Sequence, residues 1–185
     1  MSSSLSKSRR NLLLVLGVFI IPVVLAKLAL EQHWFNYGVT NQGKLSEQEY
    51  SLADLGLTQD IPKEQWLMLY RIPKNCQKHC QDTLLAVNNT YTLLGKELPR
   101  VTPIALVEQQ QTDAVLTSMR HRKWQQLPLP EKAIKLMNND QLIIVDPLGN
   151  LVMFHDAPKD ESDLAVFSKA ILADMKKLLK YSRIG

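Results

Sequence analysis

From Asn11 to Ala26 the chain carries no charged residue, and beyond Lys27 the apolar run continues through Leu28, Ala29 and Leu30. At about 1.5 Å rise per residue, a helix over 11–30 matches the roughly 30 Å hydrocarbon core of a bilayer. The run is apolar on every face rather than along one stripe, which separates it from a surface helix of a globular domain. Pro22 would at most kink it. Lys27 lies where its stem can snorkel, and His33, Trp34 and Tyr37 follow as interfacial residues.

The pattern then changes. Residues 31–60 are polar and turn-rich, with Asn41-Gln-Gly43 reading as a turn ahead of a short extended piece at Lys44 and Leu45. Trp66 to Ile72 is a short apolar run between Pro62 and Pro73, the signature of a central strand. Leu84, Val87, Tyr91 and Leu94 recur at helical spacing and predict a helix over 77–94, with Gly95 to end it. Val101 to Val107 predicts a second strand, in which Pro103 points to an irregular or edge position. Residues 108–130 support no firm element beyond a short helix around Ala114 to Met119. Leu142–Val145 and Leu151–Phe154 flank Asp146-Pro-Leu-Gly-Asn150, which predicts a hairpin. Leu164, Phe167, Ile171, Met175 and Leu178 then form the stripe of an amphipathic helix over 160–182, with Asp160 or Ser162 as its cap. Strand, helix, strand, hairpin and terminal helix is the element order of a thioredoxin-like α/β fold.

The chain has 185 residues, which allows one ordinary domain, and 45% hydrophobic against 22% charged residues excludes a disordered chain, a collagen or a pure membrane bundle. The net charge of +4 is small and partly local, with Lys7, Arg9 and Arg10 before the apolar run and Lys176, Lys177, Lys180 and Arg183 at the C-terminus; it does not support nucleic-acid binding. By the positive-inside rule the basic leader keeps 1–10 in the cytoplasm. The expected organisation is therefore a cytoplasmic N-terminus over 1–10, a transmembrane anchor over 11–30, a linker and lead-in over 31–60, and an extracytoplasmic domain over 61–185. A signal peptide cleaved before Lys27, after the small Val24 and Ala26, is the competing reading; the run's continuation past Ala26 favours the anchor.

The two cysteines, Cys76 and Cys80, stand directly after the first strand and open the first helix. Unpaired N–H groups and the macrodipole at a helix N-terminus favour a thiolate, and Lys74, Lys78 and His79 add positive or polarisable neighbours, so Cys76 is expected to be the more acidic thiol. Four residues of separation let the sulfurs form a disulfide or share a soft metal, Cu(I) or Zn(II). An inert staple is the plainer alternative, although so short a loop gains little from cross-linking.

A strand, Cys-x3-Cys at a helix start and a strand ending in Val-Asp-Pro-x-Gly, all behind a membrane anchor, resemble the Sco family of copper-handling thioredoxin-like proteins of cytochrome c oxidase assembly. More closely, the chain resembles short proteobacterial membrane proteins described as cytochrome oxidase biogenesis or associated proteins. That likeness rests on Asn41-Gln-Gly43-Lys-Leu45, Asn75 to Cys80, Arg100-Val101, Val145 to Asn150 and the tail Lys177 to Gly185. It implies a bacterial inner-membrane protein with a periplasmic domain, an assembly factor or metallochaperone more than a turnover enzyme. Its partners would be cytochrome c oxidase subunits or other assembly factors. Cys76 and Cys80 would be a redox pair and ligands of transient Cu(I), with His79 a weaker third candidate.

The departures are equally specific. Sco proteins carry a copper-binding histidine a few residues before the strand that leads into Asp-Pro; here Met137-Asn138-Asn139-Asp140 holds none. Asn75, Gln77 and Gln81 replace the usual prolines, and nothing around Gln141 supplies the cis-proline of a thioredoxin. His155 reads as an exposed strand-end residue and Met68 as core. His121, within Arg120-His-Arg-Lys123 beside Trp124, reads as part of a solvated basic run, with anionic lipid or an acidic partner as the sharper alternative. The sequon Asn88-Asn-Thr90 falls inside a helix and reads as chance. No phosphate loop, His-Glu-x-x-His or nucleophile elbow is present. Two other functions stay open: a non-catalytic membrane-bound interaction module, and a general thiol:disulfide oxidoreductase, which would normally use Cys-x-x-Cys.

Overall fold

The computed structural model describes residues 3–31, 41–108 and 124–184, and the chain divides into two compact units, Met1–Thr40 and Asn41–Gly185. In the first unit, α1 (Ser3–Glu31) contains the 21-residue span Arg9–Ala29, whose most apolar 18-residue window has a mean hydropathy of 2.7. At about 1.5 Å per residue this stretch is long and apolar enough to cross a membrane. Pro22 lies inside the helix without ending it.

The second unit contains β1 (Lys44–Leu45), β2 (Trp66–Ile72), α2 (Lys78–Thr92), β3 (Val101–Val107), β4 (Gln125–Pro128), α3 (Glu131–Leu136), β5 (Gln141–Val145), β6 (Leu151–Asp156) and α4 (Leu164–Tyr181). The strands form one sheet in the order β1-β6-β5-β2-β3-β4. β2, β3 and β4 run parallel; β5 is antiparallel to β2 and β6, and β1 is antiparallel to β6. The parallel β2-α2-β3 unit and the β5-β6 hairpin followed by α4 make this a mixed α/β, thioredoxin-like fold.

All seven residues of β2 are buried because both sheet faces are covered. Trp66, Met68, Tyr70 and Ile72 join a core with α2 and α4 that includes Leu84, Val87, Phe167, Ile171 and Met175. Leu67 and Leu69 point the other way, into a second core with Leu55, Leu57, Ala133 and Met137. Residues 41–60 take part in this packing: Leu55 is fully buried, and Ser51 bridges to Asn150.

One local expectation is refined and two are corrected. β3 is an internal strand; Pro103 pairs with Met68 on one side, while the β4 ladder begins only at Ile104, so the residue without an N–H stands just past its end. The terminal helix starts at Leu164, after a 3-10 turn at Glu161–Asp163, and neither Asp160 nor Asp163 makes a side-chain cap. α2 ends at Thr92, and Gly95, at φ 59°, opens a further 3-10 turn over Gly95–Arg100. β4 occupies part of the region that supported no firm element. The short helix around Ala114 to Met119 and the basic run with His121 lie outside the described residues, as do His33, Trp34 and Tyr37.

Candidate functional site

β2 delivers the chain from the buried Ile72 through Pro73, Lys74 and Asn75 to Cys76, and α2 begins two residues later at Lys78. Gln77 holds the extended N-cap conformation without a side-chain cap, leaving first-turn N–H groups of α2 for the motif itself. Cys76 and Cys80 are joined in a disulfide with their Cα atoms 5.1 Å apart. Their surroundings differ. Cys80 is buried in the helix-side core, whereas Cys76 is only half-buried and packs against its edge. Cys76 is therefore the more exposed member of the pair.

The residues between the cysteines hold the loop that follows β6. His79 Nε2 lies 2.9 Å from the Pro158 carbonyl, so that nitrogen carries the proton and donates. Lys78 pairs with Glu161 at 3.1 Å. Gln81 Nε2 reaches the Cys76 carbonyl at 3.4 Å, and Thr83, one turn beyond Cys80, donates to the His79 carbonyl at 2.9 Å.

The segment 137–140, which carries no histidine, is tied into the fold. Asp140, at φ 55°, accepts the hydroxyl of the fully buried Tyr70 at 3.0 Å, and its carbonyl accepts the Ala157 N–H at 2.9 Å. Burial first, and the Asp140 charge second, push the Tyr70 phenol well above its ordinary value. Gln141 receives the Asn138 N–H and bonds Asp156, which pairs with Lys44 at 2.9 Å. Burial pushes the Asp156 carboxyl up, but the bonds from Lys44 and Gln141 outweigh it and hold the carboxyl below its ordinary value. Beneath the cysteine loop, Arg71 pairs with Glu108 at 2.7 Å and donates to the Met137 carbonyl. Lys74 joins Glu108 at 3.3 Å. The Arg71 hydrogen bond leads in holding the Glu108 carboxyl low, against the opposing effect of burial.

His155 is not the exposed strand end expected. It is buried, because it pairs with Leu142 and shares strand parity with the core residue Met153. Its Nε2 lies 3.3 Å from Oδ2 of the buried Asp174 without a hydrogen bond, so His155 is a packed core residue. Met68 is core, as expected. The sequon lies within α2. Tyr70, Asp140 and Pro158 were not singled out in the sequence; Tyr70's place in an otherwise apolar strand, where a hydroxyl needs a partner, was the available signal.

A family described as transmembrane-like, thioredoxin-like, C-terminal domain matches residues 66–182, more than half of the chain. The chain belongs to that family. No curated protein sequence matches it. Among solved structures, apo Sco1 from Thermus thermophilus is similar at a TM-score of 0.52 and 16% identity, over 75% of this chain and 97% of that one. A thiol:disulfide interchange protein from Bacteroides sp. is similar at 0.45 and 13%, over 65% of this chain and 76% of that one. Arabidopsis thaliana ScoI with copper bound is similar at 0.42 and 13%, over 62% and 86%. At these identities the likeness to Sco1 establishes the fold, and the two lower scores add nothing to it.

For a metal, the donor set is short. Among the described residues no group of three or more His, Cys, Asp or Glu is placed to hold an ion. His79 keeps Nδ1 as its remaining acceptor, since Nε2 is given to Pro158. The two sulfurs are the donors that the motif brings together, and once the disulfide is reduced they make a soft set.

Proposed function

We propose that this member of the transmembrane-like, thioredoxin-like family is a membrane-tethered thiol:disulfide exchange protein that prepares cysteines during cytochrome c oxidase assembly. The observation that carries the reading is the unequal burial of a bonded Cys76–Cys80 pair at the strand-to-helix junction of a thioredoxin-like fold. In the reduced protein, the Cys76 thiolate attacks a client disulfide, forming a mixed disulfide and releasing one client thiolate. The Cys80 thiolate then attacks Cys76 Sγ, the second client thiolate leaves, and the Cys76–Cys80 disulfide is restored. The client gains two electrons and takes two protons as its thiolates are protonated; the pair supplies the electrons. Anionic Cys76 is stabilised by the N-terminus of α2.

The oxidase assignment, the uncleaved anchor, the inner membrane and the periplasmic side rest on the sequence resemblance and on the basic leader. A Cys80→Ser variant cannot resolve the mixed disulfide and is expected to accumulate it. Mass spectrometry should find Cys76 joined to an oxidase subunit or another assembly factor. Absence of any mixed disulfide, with oxidase activity intact in a Cys76→Ser, Cys80→Ser strain, would instead support an interaction module that has kept only the fold.

The 5.1 Å Cα separation also favours a second reading, transient Cu(I) carriage between the two reduced sulfurs. Under that reading copper is the cargo and reduction of the pair is its precondition.

A further inference from the structure

Trp66 Nε1 donates to Ser182 Oγ at 3.3 Å, which sets the C-terminal end of α4 beside the first residue of β2. The cysteines follow the last residue of that strand. At about 3.3 Å per residue, β2 alone separates the two ends by about 20 Å.

At the far end Arg100 gathers the tail. Its guanidinium donates to the carbonyls of Leu179 (3.1 Å), Ser182 (3.0 Å) and Ile184 (3.2 Å) and pairs with Glu97 at 2.8 Å. The result is a cavity of about 650 Å³ between the Gly95–Arg100 turn and α4, whose wall includes Lys96, Lys176 and Lys180. Glu97 is matched by Arg100, so the three exposed lysines leave this wall electropositive. Large apolar side chains stand exposed around it: Leu93 at 61%, Tyr181 at 74% and Ile184 at 50%. The Lys180 ammonium lies 5.6 Å from the centre of the Tyr181 ring.

Cations on long stems, mixed with an exposed tyrosine and aliphatic side chains, suit one solvent boundary in particular. The ammonium groups meet anionic headgroups while the stems, the ring and the aliphatic groups enter the acyl boundary. An acidic protein partner would use the charges but leave Leu93 and Ile184 unexplained. The chain also carries its own apolar helix, long and apolar enough to cross a membrane; within the folded unit, Asn41 Oδ1 accepts Lys177 Nζ at 3.1 Å, one residue from Lys176.

We propose that the face formed by Lys96, Lys176 and Lys180, with Leu93, Tyr181 and Ile184, docks on anionic phospholipid headgroups. Docking there presents the Cys76–Cys80 end away from the lipid surface. The inference is independent of the thiol chemistry and stands or falls without it.

The test compares the full chain in nanodiscs of phosphatidylcholine alone with nanodiscs containing phosphatidylglycerol, by hydrogen exchange over residues 93–100 and 176–184. A lysine near an anionic surface shifts such an equilibrium about fivefold, so three shift it by about 100-fold. Exchange in both segments should slow in phosphatidylglycerol. It should return to the phosphatidylcholine rate at about 1 M salt, where the screening length is about 3 Å, and in a Lys96→Glu, Lys176→Glu, Lys180→Glu variant. The variant's unchanged exchange over β2 and β5 shows that it is folded; a milder Lys→Gln series at the same positions serves if it is not. Equal exchange in both lipids overturns the proposal. So does protection that appears only when an acidic protein is added, which would assign the face to a protein partner.

Discussion

Asp174 of α4 accepts the backbone N–H of Gly43 at 2.8 Å, across 131 residues of sequence, and its carboxylate also takes the N–H of Gln42 at 3.0 Å. This buried carboxylate fixes the Asn41-Gln-Gly43 turn to the domain and so sets β1 on the sheet edge. The glycine is required by space: a Cβ there would meet His155 Nε2 at 2.6 Å and Met153 Cγ at 2.7 Å. Gly43→Ala is expected to cost about 1–3 kcal/mol through overpacking. Asp174→Ala, which strands two amides, should cost about 3 kcal/mol. Urea unfolding of the full chain in detergent checks both; wild-type midpoints would show that the turn is not anchored here.

His155 gives stability a pH dependence of definite sign. Burial, opposed by the charges of Asp174 on α4 and Asp156 on β6, holds its imidazole below the ordinary 6.5. Lys44 of β1 is engaged with Asp156. The unfolded chain therefore binds this proton first as pH falls, so His155's contribution is full above 6.5 and is lost as pH drops through the depressed folded value. Unfolding midpoints measured across about pH 5 to 8 should fall on the acid side, and His155→Gln should flatten that slope. An unchanged slope in the variant would place the dependence elsewhere.

The Tyr70–Asp140 bond can be read directly. With the phenol buried and beside a carboxylate, one of the five tyrosines should fail to ionise in its ordinary range when absorbance is followed through alkaline pH. Tyr70→Phe should remove that late step and cost about 1 kcal/mol. A variant whose titration keeps the late step would contradict the assignment.

Much of this was legible locally. The buried run Trp66–Ile72, the Asp-Pro-Leu-Gly turn and the stripe on α4 are short-range patterns, and they place Cys76 and Cys80 at a strand-to-helix junction. What was not legible depends on partners far away in sequence. Nothing near Asp174 signals Gln42 and Gly43, and nothing near Asn138 signals that Asp140 serves Tyr70. His155 was misread because its place at the strand end was weighed above its parity with Met153. The start of α4 was misplaced because Asp160 and Ser162 look like caps, whereas a 3-10 turn intervenes.

For copper, the donor set predicts a simple outcome. An anaerobic Cu(I) titration of the reduced full chain against a competing chelator should give one equivalent, lost in Cys76→Ser. His79→Ala should leave the stoichiometry unchanged, because two thiolates suffice for one Cu(I). No competitive binding would remove the cargo reading and leave the exchange reading intact.

The central claim is that Cys76 and Cys80 form a working exchange pair rather than a staple. Its most direct test equilibrates the full chain in nanodiscs with graded glutathione or dithiothreitol couples and counts free thiols by mass-tagged alkylation. The account predicts one two-electron transition in the range of thioredoxin-like exchange proteins, about −120 to −270 mV, with Cys76 alkylated faster than Cys80 once reduced. A pair that stays oxidised below about −300 mV, or a Cys76 no faster than Cys80, would contradict it.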